Sequence, residues 1–269
     1  MSIKLAVNGV PELYALLGTH PDLPIHAIKA PLSPTSTPEV ERARQHRPVL
    51  LHGWGPPGYS VTDDTVPEEA LLARLVTLSG TPTLSVHLDP RHDDGHDEAA
   101  LLGRIARQAD RLRALSGLPL LLENVPWRPG TGRPRWGTDP DFIRAALDAA
   151  RADLLLDLAH ARVAAHHRRT DPRAYLAALP LHRVRELHVS GPRTGPDGLR
   201  DRHLTLQAED WALLDWTLPR TPHAAWLTHE YMGLHADAHP QGPAGPAALA
   251  RDLHLLGQRA EATPVVPTG

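Results

Sequence analysis

Six residues of types that bind metals recur along this 269-residue chain, each closing a short apolar run: His52, His87, Glu123, Asp157, His188 and Glu230. Three more accompany them: His160 lies three positions past Asp157, and Asp201 and His203 bracket one residue on a segment that follows the run ending in His188. Nine nitrogen and oxygen donors exceed what one ion uses, since a catalytic zinc takes three protein ligands plus water and an octahedral ion about six. Two or three ions are implied, and a carboxylate such as Glu123 is placed to bridge a pair of them about 3.5–4 Å apart. Glu123, Asp157 and Glu230 are the carboxylates expected to act in catalysis. A single histidine in such a chain would be read as a surface or hydrogen-bonded core group, and His166 and His182 are read so. Six in succession resist that reading, because buried acids are costly unless paired or metal-bound.

Such residues converge only if the elements carrying them are arranged around one axis. Apolar runs over 3–7, 25–29, 48–52, 83–87, 118–123, 153–157, 184–189 and 225–230 read as strands, and amphipathic stretches over 67–79, 97–116, 139–151 and 171–178 read as helices between them. Eight strand-to-helix units close most simply into a (β/α)8 TIM barrel, whose strands deliver polar side chains from their carboxyl ends into a shared mouth. An open doubly wound sheet would need a glycine-rich phosphate turn after the first strand, and Asn8-Gly9-Val10-Pro11 is not one. The Pro/Gly-rich stretches 53–58, 126–140, 192–198 and 239–246 follow strand ends and read as βα loops. Residues 1–262 are therefore expected to form one domain, with 263–269 a flexible tail.

The chain has no cysteine, which excludes disulfides and thiolate metal sites. Its first residues lack a signal-peptide pattern and no stretch of 18 apolar residues occurs, so a soluble cytoplasmic protein without membrane association is expected. A formal charge of −3 and a pI near 6.6 give no general attraction to nucleic acid.

The pieces LLLENV, LLLDLAH, ELHVSG, DRH and LTHE, in that order over 119–230, resemble the xylose-isomerase-like barrel superfamily that includes endonuclease IV. The run 139–230, with YLAALPLHRVRELHVSGPR and WALLDWTL, resembles more closely the multinuclear non-haem iron-dependent oxidative enzymes of the methanobactin-biosynthesis type. That resemblance implies two or three ions, iron before zinc or manganese. It also implies O2-dependent rearrangement or cleavage of a cysteine-containing peptide or small thiol, and a partner protein that presents the peptide. It would place one ion on His52, His87 and Glu123, a second on Glu123, Asp157, His188 and Glu230, and a third on His160, Asp201 and His203. Enzymes of the methanobactin type tend to carry Asn where this chain has His160, the endonuclease-like choice.

Weaker signals surround this set. Asn124, beside Glu123, is placed to orient a ligand or substrate; Trp54 and Trp127 fall in mouth loops and would wall a substrate pocket; Arg193 and Arg202 flank the Asp201 segment and would meet an anionic substrate. The competing functions are an endonuclease IV-like zinc phosphodiesterase acting on abasic sites, a sugar isomerase or epimerase, and a non-catalytic metal-storage or peptide-binding module. The acidic net charge opposes the first. The isomerase wants a lysine near the metals, and the lysines are Lys4 and Lys29.

Overall fold

A computed structural model describes residues 2–53, 60–62, 68–91, 97–233 and 245–267. Eight parallel strands close into a barrel: β1 (Lys4–Asn8), β2 (Ala27–Pro31), β3 (Val49–Gly53), β4 (Leu84–His87), β5 (Leu120–Glu123), β6 (Asp153–Asp157), β7 (Val184–Val189) and, after a hairpin of β8 (Gly191–Gly195) and β9 (Gly198–Leu204), β10 (Trp226–His229). Around them run α1 (Pro11–Thr19), α2 (Thr37–Arg44), α3 (Glu69–Ser79), α4 (Glu98–Ser116), α5 (Pro140–Ala150), α6 (Leu158–Arg168), α7 (Pro172–Ala178), α8 (Ala208–Thr217) and α9 (Pro246–Ala262). This is a (β/α)8 TIM barrel, with each strand within two residues of its sequence reading.

The strands are short and almost wholly buried, because the ring of helices covers their outer faces. The core between strands and helices is built from leucine, isoleucine and valine, including Leu5, Ile28, Leu51, Leu84, Leu122 and Leu156, while Ala6, Ala27 and Leu50 pack with Trp226 as a separate small cluster. Helix ends obey local chemistry: Asp97 and Asp171 cap α4 and α7 with their carboxylates, and Gly80 and Gly117 end α3 and α4 in the left-handed conformation that glycine adopts without cost.

The parallel register sets the site. His87 pairs with Glu123 across β4 and β5, and Asp157 pairs with His188 across β6 and β7, after an irregularity at Leu154/Leu155 that shifts the two strands into line. Side chains two apart on a strand share a face, so behind the ring at the strand ends lies a second ring that includes Lys29, Ser85, Glu186 and Thr228.

One expectation is corrected. The stretch 192–198, read as a loop, is part of an antiparallel hairpin, and its Pro192 and Gly195 hid the strand pattern. In the described part of the segment expected as a flexible tail, Ile3 N donates to the Thr263 carbonyl at 3.3 Å and Val266 N donates to the Pro222 carbonyl at 2.7 Å. Among the described residues no helix is long and apolar enough to cross a membrane.

Candidate metal centre

Six strands deliver donors to the barrel mouth. His52, Glu123, Asp157 and His188 are the last or near-last residues of β3, β5, β6 and β7 and are buried; His87 ends β4, and Glu230 follows β10 by one residue. Nε2 of His52 and Nε2 of His87 each lie 2.8 Å from Oε2 of Glu123, and Nδ1 of His188 lies 3.2 Å from Oε1 of Glu123 and 3.2 Å from Oε1 of Glu230. Two groups of donor atoms lie mutually within 4.8 Å: His52, His87 and Glu123, and then Glu123, Asp157, His188 and Glu230. Glu123 belongs to both.

The remaining three donors form a chain around one oxygen. Oδ2 of Asp201 lies 3.2 Å from Nε2 of His160 and 2.8 Å from Nε2 of His203, and Nδ1 of His203 lies 3.6 Å from Oε2 of Glu230. They fall outside both mutual groups, but Glu230 reaches from one to the other as Glu123 does between the first two. Asp201 and His203 come from β9, and His203 sits there at φ 47, an uncommon left-handed conformation for a residue with a side chain.

Whether these residues suit ions is answered by their unmet polar atoms. Both oxygens of Glu123, Oδ2 of Asp157, Nδ1 of His188 and Nδ1 of His203 are buried without a hydrogen bond, although nitrogens and oxygens stand close by. Orphaned buried polar atoms are rare and expensive, and five in one spot, aimed at each other without hydrogen-bond geometry, fit a set of ligands around cations.

The groups behind the donors fix their orientation. His52 Nδ1 lies 2.9 Å from the Ser85 hydroxyl, which donates onward to the Leu51 carbonyl at 3.2 Å, so the ring gives its proton to Ser85 and turns a bare Nε2 toward Glu123. His160 Nδ1 donates to the Asn124 carbonyl at 2.8 Å, leaving Nε2 for Asp201. Asp157 caps α6, its Oδ1 accepting from His160 N at 2.6 Å, which explains the Asp-x-x-His spacing: the carboxylate ends a strand, starts a helix and keeps one oxygen for the site. Asn124 holds the same residue from behind, Nδ2 donating to the Asp157 carbonyl at 3.0 Å and Oδ1 accepting from Asp157 N at 2.8 Å.

Beneath His188 lies a group that the sequence reading missed. Oε1 of Glu186 is 2.6 Å from Lys29 Nζ, accepts from Thr228 Oγ1 at 2.6 Å and is 3.1 Å from His188 Nε2, while Lys29 Nζ is 2.8 Å from that same Nε2. All four residues are buried. The available signal was a lysine and a glutamate inside otherwise apolar strands, the glutamate two residues before a ligand. Lys29 thus does stand near the candidate ligands, contrary to the argument used against an isomerase, but its ammonium is engaged by Glu186 and His188.

Electrostatics in the metal-free chain match this crowding. Burial opposes ionisation of Glu123, yet His52, His87 and His188 hold its carboxyl well below the usual range. Burial pushes Asp157 up to about 7. Against the cost of burial, Asp157 and Asp201 hold His160 at about 10, and Asp201 holds His203 at about 9, whereas burial takes His52 down to about 4. Such divergent ionisation within one cleft marks a functional site.

Other candidates land elsewhere. Trp127 is partly buried against the core, with Nε1 donating to the Arg133 carbonyl at 3.1 Å, and is not among the residues facing the cavity at the mouth. Arg193 is buried, its guanidinium donating to the Thr205 carbonyl at 2.8 Å, so it braces the hairpin and does not present itself to a substrate. Arg202 is half-buried on β9 between Asp201 and His203. Trp54 lies outside the described residues. The cavity at the mouth, about 230 Å3, is lined by Asn8, His52, His87, His160, His203, Glu230 and Met232.

Comparison with known proteins follows the same lines. The sequence profile of the RiPP precursor modification enzymes MbnB/TglH/ChrH matches residues 32–230, a span that contains all nine donors. A UPF0276 protein of Caulobacter vibrioides is 32% identical over 201 residues, 66% of each chain, and one of Shewanella amazonensis is 35% identical over 100 residues, 37% of this chain and 35% of that one. The chain thus matches between about a third and two thirds of the length of these relatives. Among solved structures, endonuclease IV from Thermus thermophilus aligns with a TM-score of 0.58 at 19% identity, covering 98% of this chain and 100% of that one. A putative xylose isomerase from Rhodospirillum rubrum aligns with 0.59 at 15%, again covering 98% and 100%. At these identities the likeness is one of fold.

Proposed function

The chain belongs to the MbnB/TglH/ChrH family of RiPP precursor modification enzymes, and from that premise we propose that it oxidatively modifies a cysteine-containing peptide at a cluster of two or three ions, iron foremost. The observation that carries the reading is Glu123, a buried carboxylate common to two ligand groups with neither oxygen hydrogen-bonded. Nitrogen and oxygen donors without thiolate suit iron, manganese and zinc alike, and the family's chemistry is what favours iron. The proposal includes a partner protein that presents the peptide.

When bound, iron would supply an anchor for the substrate sulfur and a site at which O2 is reduced. The chain's own residues supply the rest. Ser85, Asn124 and Glu186 hold His52, His160 and His188 in fixed orientation, so the donors are arranged before any substrate arrives. Glu123 and Glu230, each within reach of two donor groups, would hold neighbouring ions from both sides. The cavity beside His87, His203 and Met232 admits the reacting side chain.

The test sets two assays against each other. Iron-loaded protein given cysteine-containing peptides should consume O2 in a thiol-dependent manner, and Glu123→Gln should abolish it. Cleavage of an abasic-site duplex by zinc-loaded protein at enzyme-like rates, abolished by the same substitution, would replace this reading with the phosphodiesterase one.

A further inference from the structure

Six of the eight barrel strands carry candidate ligands to the mouth; β1 and β2 carry none. The mouth continues into that sector. A second lobe of about 190 Å3 shares Asn8, His52, Glu230 and Met232 with the cavity at the donors and extends from them along Val10, Ala30 and Pro31, with Glu39 at its edge. The two lobes therefore adjoin across these four shared residues, and beyond them the second is walled mainly by Val10, Ala30 and Pro31, with Lys29 and Glu39 as its charged groups.

The chemistry of the second lobe differs from that of the first. Val10 and Ala30 are buried, Pro31 is half-buried, and Met232 is 37% exposed, a large apolar side chain that stands in the mouth where both lobes meet. Asn8 Nδ2 lies 3.5 Å from the Met232 sulfur, which holds the thioether across the opening. The cation of this sector, Lys29, is already engaged by Glu186 at 2.6 Å, whereas Glu39 on α2 is exposed and Glu230 closes the inner end. An anionic group would meet two carboxylates and an ammonium that is already paired, so a phosphate or a carboxylate is disfavoured and an apolar group favoured.

We propose that this lobe is the subsite for an uncharged, apolar side chain of the substrate peptide, adjacent in sequence to the residue that meets the donor cluster. The proposal rests on the peptide reading above. A substrate whose reacting atom sits among His87, His203 and Glu230 must place its neighbouring residue somewhere, and among the described residues the adjoining lobe on the β1–β2 side offers the space. Met232 is then the specificity-determining contact, a flexible and polarisable side chain that moulds itself to an apolar guest.

The experiment uses capped pentapeptides with a central cysteine flanked on either side by leucine or by aspartate, and the same four peptides with serine in place of cysteine. Calorimetric titration of the iron-loaded chain should show the leucine-flanked peptide, on one side, binding at least tenfold more tightly than its aspartate counterpart. Met232→Glu should erase that preference while iron content stays unchanged, and Glu39→Lys should narrow it. Persistence of the preference in the serine peptides alongside no O2 uptake with the cysteine peptides would leave the subsite standing and defeat the oxidative reading. Equal binding of leucine and aspartate peptides, an unchanged preference in Met232→Glu, or no peptide binding at all would overturn the subsite.

Discussion

Lys29 Nζ and Glu186 Oε1 meet at 2.6 Å in the interior of the barrel, one layer beneath the donor ring, with both side chains almost wholly removed from solvent. Removing one member of such a pair leaves an uncompensated buried charge, which costs about 3–5 kcal/mol. Lys29→Met is therefore expected to destabilise the metal-free protein by that order in urea unfolding, and the double variant Lys29→Met/Glu186→Gln by clearly less. Equal losses in the single and double variants would show that the pair's charge is not what matters. Because Glu186 also contacts His188, Glu186→Gln is expected to weaken metal binding as well, by roughly the 10- to 100-fold typical of groups that orient a ligand.

Asn124 and Asp157 make a second such pair, held by two hydrogen bonds. Asn124→Leu leaves the Asp157 backbone N–H and carbonyl without these partners, at about 1–3 kcal/mol for each unsatisfied group. The expected outcome is a lower urea midpoint together with metal loss that excess metal partly restores. Unchanged metal affinity would mean that Asn124 does not position the ligand.

Much of this was legible in the chain itself, and the physical reason is the period-two alternation of strands. A polar residue closing an apolar run must point into a barrel mouth, and six such runs in order named His52 through Glu230. Lys29, Ser85, Glu186 and Thr228 obey the same alternation two residues earlier or on a neighbouring strand, but a single polar residue inside a strand carries no partner in the sequence; its partner lies on another strand that only the register supplies. Arg193 and Trp127 illustrate the converse: loop position suggested exposure, whereas tertiary contacts with Thr205 and Arg133 hold them inward. The hairpin bearing Asp201 and His203 was hidden by proline and glycine.

That hairpin yields a third prediction. A Cβ on Gly191 would overlap the carbonyl oxygen of Thr205, which is backbone and cannot swing aside. Gly191→Ala is expected to displace β8 and β9 at a cost of about 1–3 kcal/mol and to reduce metal bound through Asp201 and His203, while the barrel keeps its circular dichroism. Full metal content in this variant would remove the hairpin from the site.

The ionisation pattern gives a fourth. In the metal-free chain His160 and His203 are held at about 10 and about 9, above an unfolded value near 6.5, so their contribution to stability is complete below pH 6.5 and is lost as pH rises through 9 and 10. The melting temperature of metal-free protein should therefore fall between pH 7 and 10. Metal-loaded protein should not show this fall, because its histidines are already deprotonated by coordination, and loading at pH 7 should release protons detectable by calorimetry in buffers of different ionisation enthalpy. At a hundredfold excess over Kd one ion stabilises by about 2.7 kcal/mol, so chelation should also lower the melting temperature at pH 7. Identical pH profiles with and without metal would contradict the assignment of these histidines.

The most direct test of a shared cluster is elemental analysis of the chain purified under exclusion of O2, before and after Glu123→Gln. Two or more iron atoms per chain are expected in the parent. At least one should be lost in Glu123→Gln, and none in His166→Ala or His182→Ala, whose exposed side chains lie outside the donor set. One ion or none in folded parent protein supplied with iron, or a full complement retained by Glu123→Gln, would contradict it.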